Sequence, residues 1–106
     1  MIYFIQAGVL GPVKVGYTNS NPKGRLQSLQ TGSPYKLRLI GHCGGNRTGE
    51  RILHRMFEPF KMEGEWFRFH IGTMKIIYEL CGFNLVHPIL DKGFLNSLKE
   101  RINNAI

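Results

Sequence analysis

Cysteine is scarce in this 106-residue sequence, which has only Cys43 and Cys81. Two thiols make neither the disulfide framework of a small secreted domain nor a four-ligand zinc pattern. Long apolar runs are missing too, and none approaches the roughly 18 residues a membrane span needs. The apolar start, Ile2-Tyr3-Phe4-Ile5, breaks at Gln6-Ala7-Gly8 with no charged region before it, so it does not read as a signal peptide. Repeats, low-complexity tracts and linkers are absent. A chain of this length buries about two-thirds of its unfolded surface, enough for one core and not for two. The expectation is a single domain in a reducing, cytoplasmic setting, with no membrane contact.

Acidic residues are the other shortage. Seven Asp and Glu face fourteen Lys and Arg, a formal net charge of +7. An excess of that size on a small chain favours a polyanionic partner, most often nucleic acid. Hydrophobic residues make up 42% of the chain and charged residues 20%, which excludes a disordered composition.

What is present reads as an α+β chain. Residues 2–6 are β-branched and aromatic, and 13–17 alternate, with Val13, Val15 and Tyr17 on one face and Lys14 and Gly16 on the other. The Gly- and Pro-bearing stretch between them makes the pair an antiparallel hairpin. Asn21-Pro22 starts a helix that carries Arg25, Leu26 and Leu29 and ends at Thr31-Gly32. A strand over 36–43 follows, then a second helix over about 48–58 with Ile52, Leu53, Met56, Phe57 and Phe60 on its apolar side. Glu50 and His54 fall together on one edge of that stripe. Residues 64–69 read as a short extended segment facing the core through Trp66 and Phe67. A third helix near Thr73–Cys81 closes at Gly82, and a last amphipathic helix carries Phe94, Leu95, Leu98 and Ile102.

Several of these residues could carry chemistry, each with a plainer alternative. Gly16 inside a strand marks a close approach by a ligand or by another backbone. Lys14 beside it is either a phosphate contact or a solvated strand lysine. Arg25 is either a grip on a phosphate or a surface arginine. Glu50 is poised between core and solvent as a metal ligand must be, yet it equally suits a helix start. His54, one turn on, is either a phosphate contact or a hydrogen-bonded structural residue. His42 and Cys43 are adjacent on a strand, point to opposite faces and so form no nucleophile–base pair.

The order of these elements resembles the GIY-YIG nuclease superfamily. The resemblance rests on Ile2-Tyr3-Phe4, a short loop, Lys14-Val15-Gly16, and Arg25 nine residues after Gly16. Glu50-Arg-Ile-Leu-His54 and Gly64-Glu65-Trp66-Phe67 resemble the phage and fungal "meiotically up-regulated" branch, with lysine in the second motif. It spans residues 2 to about 70 and leaves 71–106 as a helical extension. In some members a histidine follows the arginine by one turn, where Leu29 stands here.

The resemblance implies a compact core with a three-stranded antiparallel sheet flanked by helices, and metal-dependent endonuclease activity on DNA. The family's first-motif tyrosine falls on Tyr3, its helix arginine on Arg25 and its metal-binding glutamate on Glu50, for one Mg²⁺ or Mn²⁺ ion. Lys14 stands where the second tyrosine would be, and its charge would help Tyr3 lose a proton. Lys14, Lys23, Arg25, Arg51 and His54 are the candidates for gripping the DNA backbone. A catalytically weak or inactive DNA-binding module on the same fold is the alternative. Tyr17 points to the opposite strand face and ranks below these residues. The last helix is either a cover for the core or a homodimer contact. A phage-encoded chain would work in the host cytoplasm. Because backbone contacts release counterions, DNA affinity should fall steeply and linearly on a log–log plot as salt rises. A flat response in a filter-binding titration would exclude a phosphate-backbone partner.

Overall fold

In the computed structural model, residues 1–82 are described, and the last helix expected from the sequence, with its alternative roles of core cover or homodimer contact, falls outside them. Strands β1 (Ile2–Ala7) and β2 (Val13–Tyr17) pair antiparallel, with Tyr3 opposite Gly16 and Ile5 opposite Lys14. The connection closes through Ala7 N–H donating to the Pro12 carbonyl at 2.9 Å. The Gln6 side-chain amide donates to the Gly11 carbonyl at 2.9 Å. Gly8 takes a φ of 68°, a left-handed conformation that glycine adopts without a Cβ penalty.

Helix α1 (Pro22–Thr31) begins as the sequence predicts. The Asn21 side chain accepts from Lys23 N–H at 2.9 Å, and Pro22 occupies the first turn where its missing N–H costs nothing. Its Leu26 and Leu29 lie on Tyr3, Ile5 and Leu37, which covers one face of the sheet. Strand β3 (Leu37–Cys43) then returns along the free edge of β1. A bulge at Ile40 shifts the register between Phe4 and Ile5. Leu37 and Leu39 therefore face α1, while Ile40 enters the opposite core. Beyond the bulge, His42 stands opposite Tyr3 and Cys43 opposite Ile2, on the two different faces that strand geometry requires.

The sheet has five strands, not the expected three. The segment over 61–67 folds into β4 (Lys61–Glu63) and β5 (Trp66–Phe67), and the order is β3-β1-β2-β5-β4, antiparallel throughout. Strands of three and two residues are too short to show a period in the sequence. Gly64, at φ 57°, supports the turn between them.

The second sheet face carries the larger core. Helix α2 (Arg47–Met56) contributes Leu53, and Phe57 follows it. Helix α3 (Ile71–Cys81) contributes Met74, Ile77 and Cys81 against Phe4, Val13, Val15 and Phe67. Phe57 and Phe67 meet edge to face at 5.3 Å. Ile52 and Met56, expected inside, are 52% and 50% exposed. Helix α2 presents a narrow stripe because it ends at Met56, and a short 3₁₀ turn over Glu58–Phe60 redirects the chain. His70 caps α3 by accepting from Gly72 N–H at 2.9 Å, and Gly82 ends it as predicted.

The Tyr3 ring fills the space above Gly16, where an added Cβ would lie 2.3 Å from the ring. Gly16→Ala must therefore displace a buried aromatic. It should cost about 1–3 kcal/mol, read as a lowered urea midpoint at unchanged slope.

Candidate active site

Strand β5 pairs with β2 only at Val13 and Lys14, whereas β2 runs on to Tyr17. Groups carried on opposite faces of the sheet can therefore meet around the corner at Gly16–Tyr17. A cleft of about 480 Å³ opens there, lined by Tyr3, Tyr17, Arg25, Arg47, Glu50 and Glu65, with Thr18, Asn19 and Ser20 at its rim. An adjoining hollow of about 340 Å³ takes in Arg51 and His54.

Tyr3 reaches the cleft from β1. It is only 1% exposed, and its hydroxyl accepts a hydrogen bond from Arg25 Nε at 3.3 Å. Arg25 rises from the first turns of α1, and the Tyr3 hydroxyl strengthens its hold on its proton. One of the five guanidinium N–H groups is committed to the phenol, and the exposed side chain keeps four more for a ligand.

The acids come from two further elements. Glu50 stands in the first turn of α2, where Asn46 caps the helix by accepting from Gly49 N–H at 2.9 Å. Glu65 follows Gly64 in the β4–β5 turn, and its carbonyl is tied to Val15 N–H at 3.1 Å. Its carboxylate binds Lys14 Nζ at 2.8 Å. Burial works against ionising Glu65, but the bond and charge of Lys14 outweigh it and hold the carboxyl below its ordinary range. Glu50 shifts the other way. Burial raises it first and the Glu65 charge adds to that, against a smaller opposing pull from His54 and Arg47. One carboxylate is thus held ionised, and its neighbour holds its proton more tightly.

His54 sits between the acids and the core. Its Nε2 is 3.0 Å from the Val15 carbonyl. A carbonyl only accepts, so that nitrogen donates. The ring packs edge-on to Phe67 at 5.1 Å, and Nε2 lies 3.6 Å from a Glu50 oxygen. Ligand atoms of Glu50, His54 and Glu65 all fall within 4.8 Å of one another, so this group could hold a metal ion.

Of the residues singled out in the sequence, Tyr3, Arg25 and Glu50 share the cleft, and Lys14 joins them through Glu65. Lys23 is exposed on α1 and lines neither hollow. The cation at the Tyr3 hydroxyl is Arg25, while Lys14 is bound to Glu65.

Three residues were missed. Glu65 stands out in the sequence only as part of the Gly64-Glu65-Trp66-Phe67 segment, where the Gly-Glu pair is the signal for a turn. Tyr17 lies on the other strand face from Lys14 and Gly16, yet it lines the cleft because β2 runs past the last residue paired with β5. Its hydroxyl donates to Asn19 Oδ1 at 2.5 Å. Arg47 carried no motif, and it lies 5.4 Å over the Tyr17 ring as a second cation across the cleft from Arg25.

The thiols stay outside this chemistry. Burial pushes Cys43 up and Cys81 up to about 12, so neither is a thiolate at neutral pH. Comparison with protein-family models, with curated proteins and with solved structures finds no match to this chain. No helix among the described residues is long and apolar enough to cross a membrane.

A carboxyl whose folded-state pKa is raised starts to cost stability as pH rises past its ordinary value, costs the full amount above the raised one, and costs nothing when it is protonated in both states. Glu50→Gln should therefore raise the thermal midpoint in EDTA at pH 7. The difference should shrink as pH falls through the raised pKa and vanish below the ordinary carboxylate range. A midpoint gain independent of pH would assign the effect to packing instead.

Proposed function

We propose that this chain is a metal-dependent endonuclease of the GIY-YIG type that hydrolyses DNA phosphodiester bonds. The observation that carries the reading is the convergence of Tyr3, Arg25, Glu50 and Glu65 on one cleft, with Lys14 bound to Glu65, from five separate parts of the chain. The net charge of +7 supports DNA as the polyanionic partner.

The donor set fits a hard divalent cation. Two carboxylates lie close enough to interact, and Glu50 is shifted upward by burial first and by the charge of Glu65 second, both of which an ion between them would offset. Glu50 and Glu65 would hold Mg²⁺ or Mn²⁺. His54 is less suited to a direct bond through Nε2, which already donates to Val15, and serves to fix the edge of α2 against the sheet. When bound, the ion supplies charge neutralisation at the scissile phosphate and its leaving oxygen.

The protein groups have separable tasks. Tyr3 accepts the proton of the attacking water, and the Arg25 hydrogen bond holds its oxygen in place in the cleft. The remaining N–H groups of Arg25 serve the non-bridging oxygens, where negative charge grows in the transition state. Arg47, stacked on Tyr17, gives the opposite wall a second positive group for the backbone. Lys14 keeps Glu65 ionised and so available to a cation.

Plasmid nicking with Mg²⁺ or Mn²⁺ tests the proposal. Tyr3→Phe and Arg25→Ala should each slow cleavage about 100-fold or more, and Glu50→Ala should abolish it. DNA binding by Tyr3→Phe should be unchanged. Equal DNA binding by wild type and Glu50→Ala with no cleavage under either metal would leave a binding module in place of an enzyme.

A further inference from the structure

A second concavity, of about 450 Å³, opens on the α1 face of the sheet and is lined by Ala7, Gly11, Pro12, Ser33, Tyr35 and Trp66. We propose that this slot takes an unstacked nucleobase from a single-stranded stretch of DNA. The inference rests on the proposed function in taking DNA as the partner.

The slot is built around two aromatic rings. Tyr35 is 66% exposed, yet its backbone is held on both sides. Its carbonyl accepts from Gln30 Nε2 at 2.9 Å and from Ser33 Oγ at 3.1 Å, and its N–H donates to Ser33 Oγ at 3.2 Å. The same Gln30 side chain accepts from Leu37 N–H at 2.7 Å, which locks the loop to β3. An exposed ring on a fixed backbone has already lost much of the freedom that a ligand would otherwise have to remove. Trp66, on the other side, is half-buried against the Tyr3, Ile5 and Leu37 cluster.

The occupant follows from charge and from position. The Lys14 ammonium lies 5.6 Å from the Trp66 ring and is bonded to Glu65, so one lysine links the slot to the active cleft. Lys36 follows Tyr35 and is exposed. From Tyr3 to Ala7, β1 covers four residues, roughly 13 Å. A flat ring on an anionic chain passing through the cleft therefore lies within reach of the slot. The lining is mostly apolar, which suits stacking on any base in preference to hydrogen-bond reading of one.

Trp66 is the sole tryptophan of the chain, so its emission reports on this slot directly. Titrating the protein in EDTA with oligothymidylate should quench Trp66, whereas a blunt, fully paired duplex of the same length should bind without quenching. Tyr35→Ala should weaken oligothymidylate binding about tenfold, and Tyr35→Phe should restore it. Position 35 is exposed, and circular dichroism of the variant checks that the fold is kept. Binding of oligothymidylate with unmoved Trp66 emission, or with full affinity in Tyr35→Ala, overturns the slot. Nicking activity alongside a silent Trp66 overturns the slot and spares the nuclease. Quenching by a chain that never nicks DNA supports the slot and ends the nuclease reading. Failure to bind either oligonucleotide overturns the slot together with DNA as the partner.

Discussion

The position of the Tyr3 hydroxyl depends on a missing side chain. Tyr3 and Gly16 are directly opposed across β1 and β2, and the ring lies where any Cβ on residue 16 would be. That contact ties the site to the hairpin register, because a one-residue slip would turn every side chain to the other face. Arg25 then finds the hydroxyl only because Leu26 and Leu29 seat α1 on the same face. Core packing and site geometry are here one arrangement, and the most buried residue of the cleft is also its central polar group.

The acids oppose the general character of the protein. In a chain with a net charge of +7, Glu50 and Glu65 are brought together at a partly buried corner, where the charge of Glu50 is disfavoured. Lys14 offsets one charge and leaves the other incompletely compensated. Such an arrangement is poor design for a passive basic surface, since two carboxylates beside a polyanion repel it. It makes physical sense where a cation completes the set.

Much of this was legible in the sequence where local rules dominate. The alternation over 13–17, the Asn21-Pro22 start, the Gly82 stop and the shared edge of Glu50 and His54 all follow from dihedral preference and periodicity. What was hidden depends on tertiary contacts. The β4–β5 pair is too short to show a pattern and exists because β2 offers an edge to it. Glu65 acquires its meaning from Lys14, which lies 51 positions earlier in the chain. Ile52 and Met56 read as core by spacing alone, but α2 ends before a second row of contacts is needed. The Arg47–Tyr17 wall has its place because β5 ends early and leaves the end of β2 open.

The β4–β5 arm is held by a short ladder, and the three residues of β4 are all exposed. Such an element opens locally at far less cost than the central strands, and its amides should exchange with solvent well before theirs. The arm nevertheless carries one of the two carboxylates. Anything that bridges Glu65 to Glu50 would tie this edge of the sheet to helix α2, and so would make that local opening less populated by mass action. Occupation of the cleft and mechanical tightening of the sheet edge are therefore the same event, seen from the two ends of one turn.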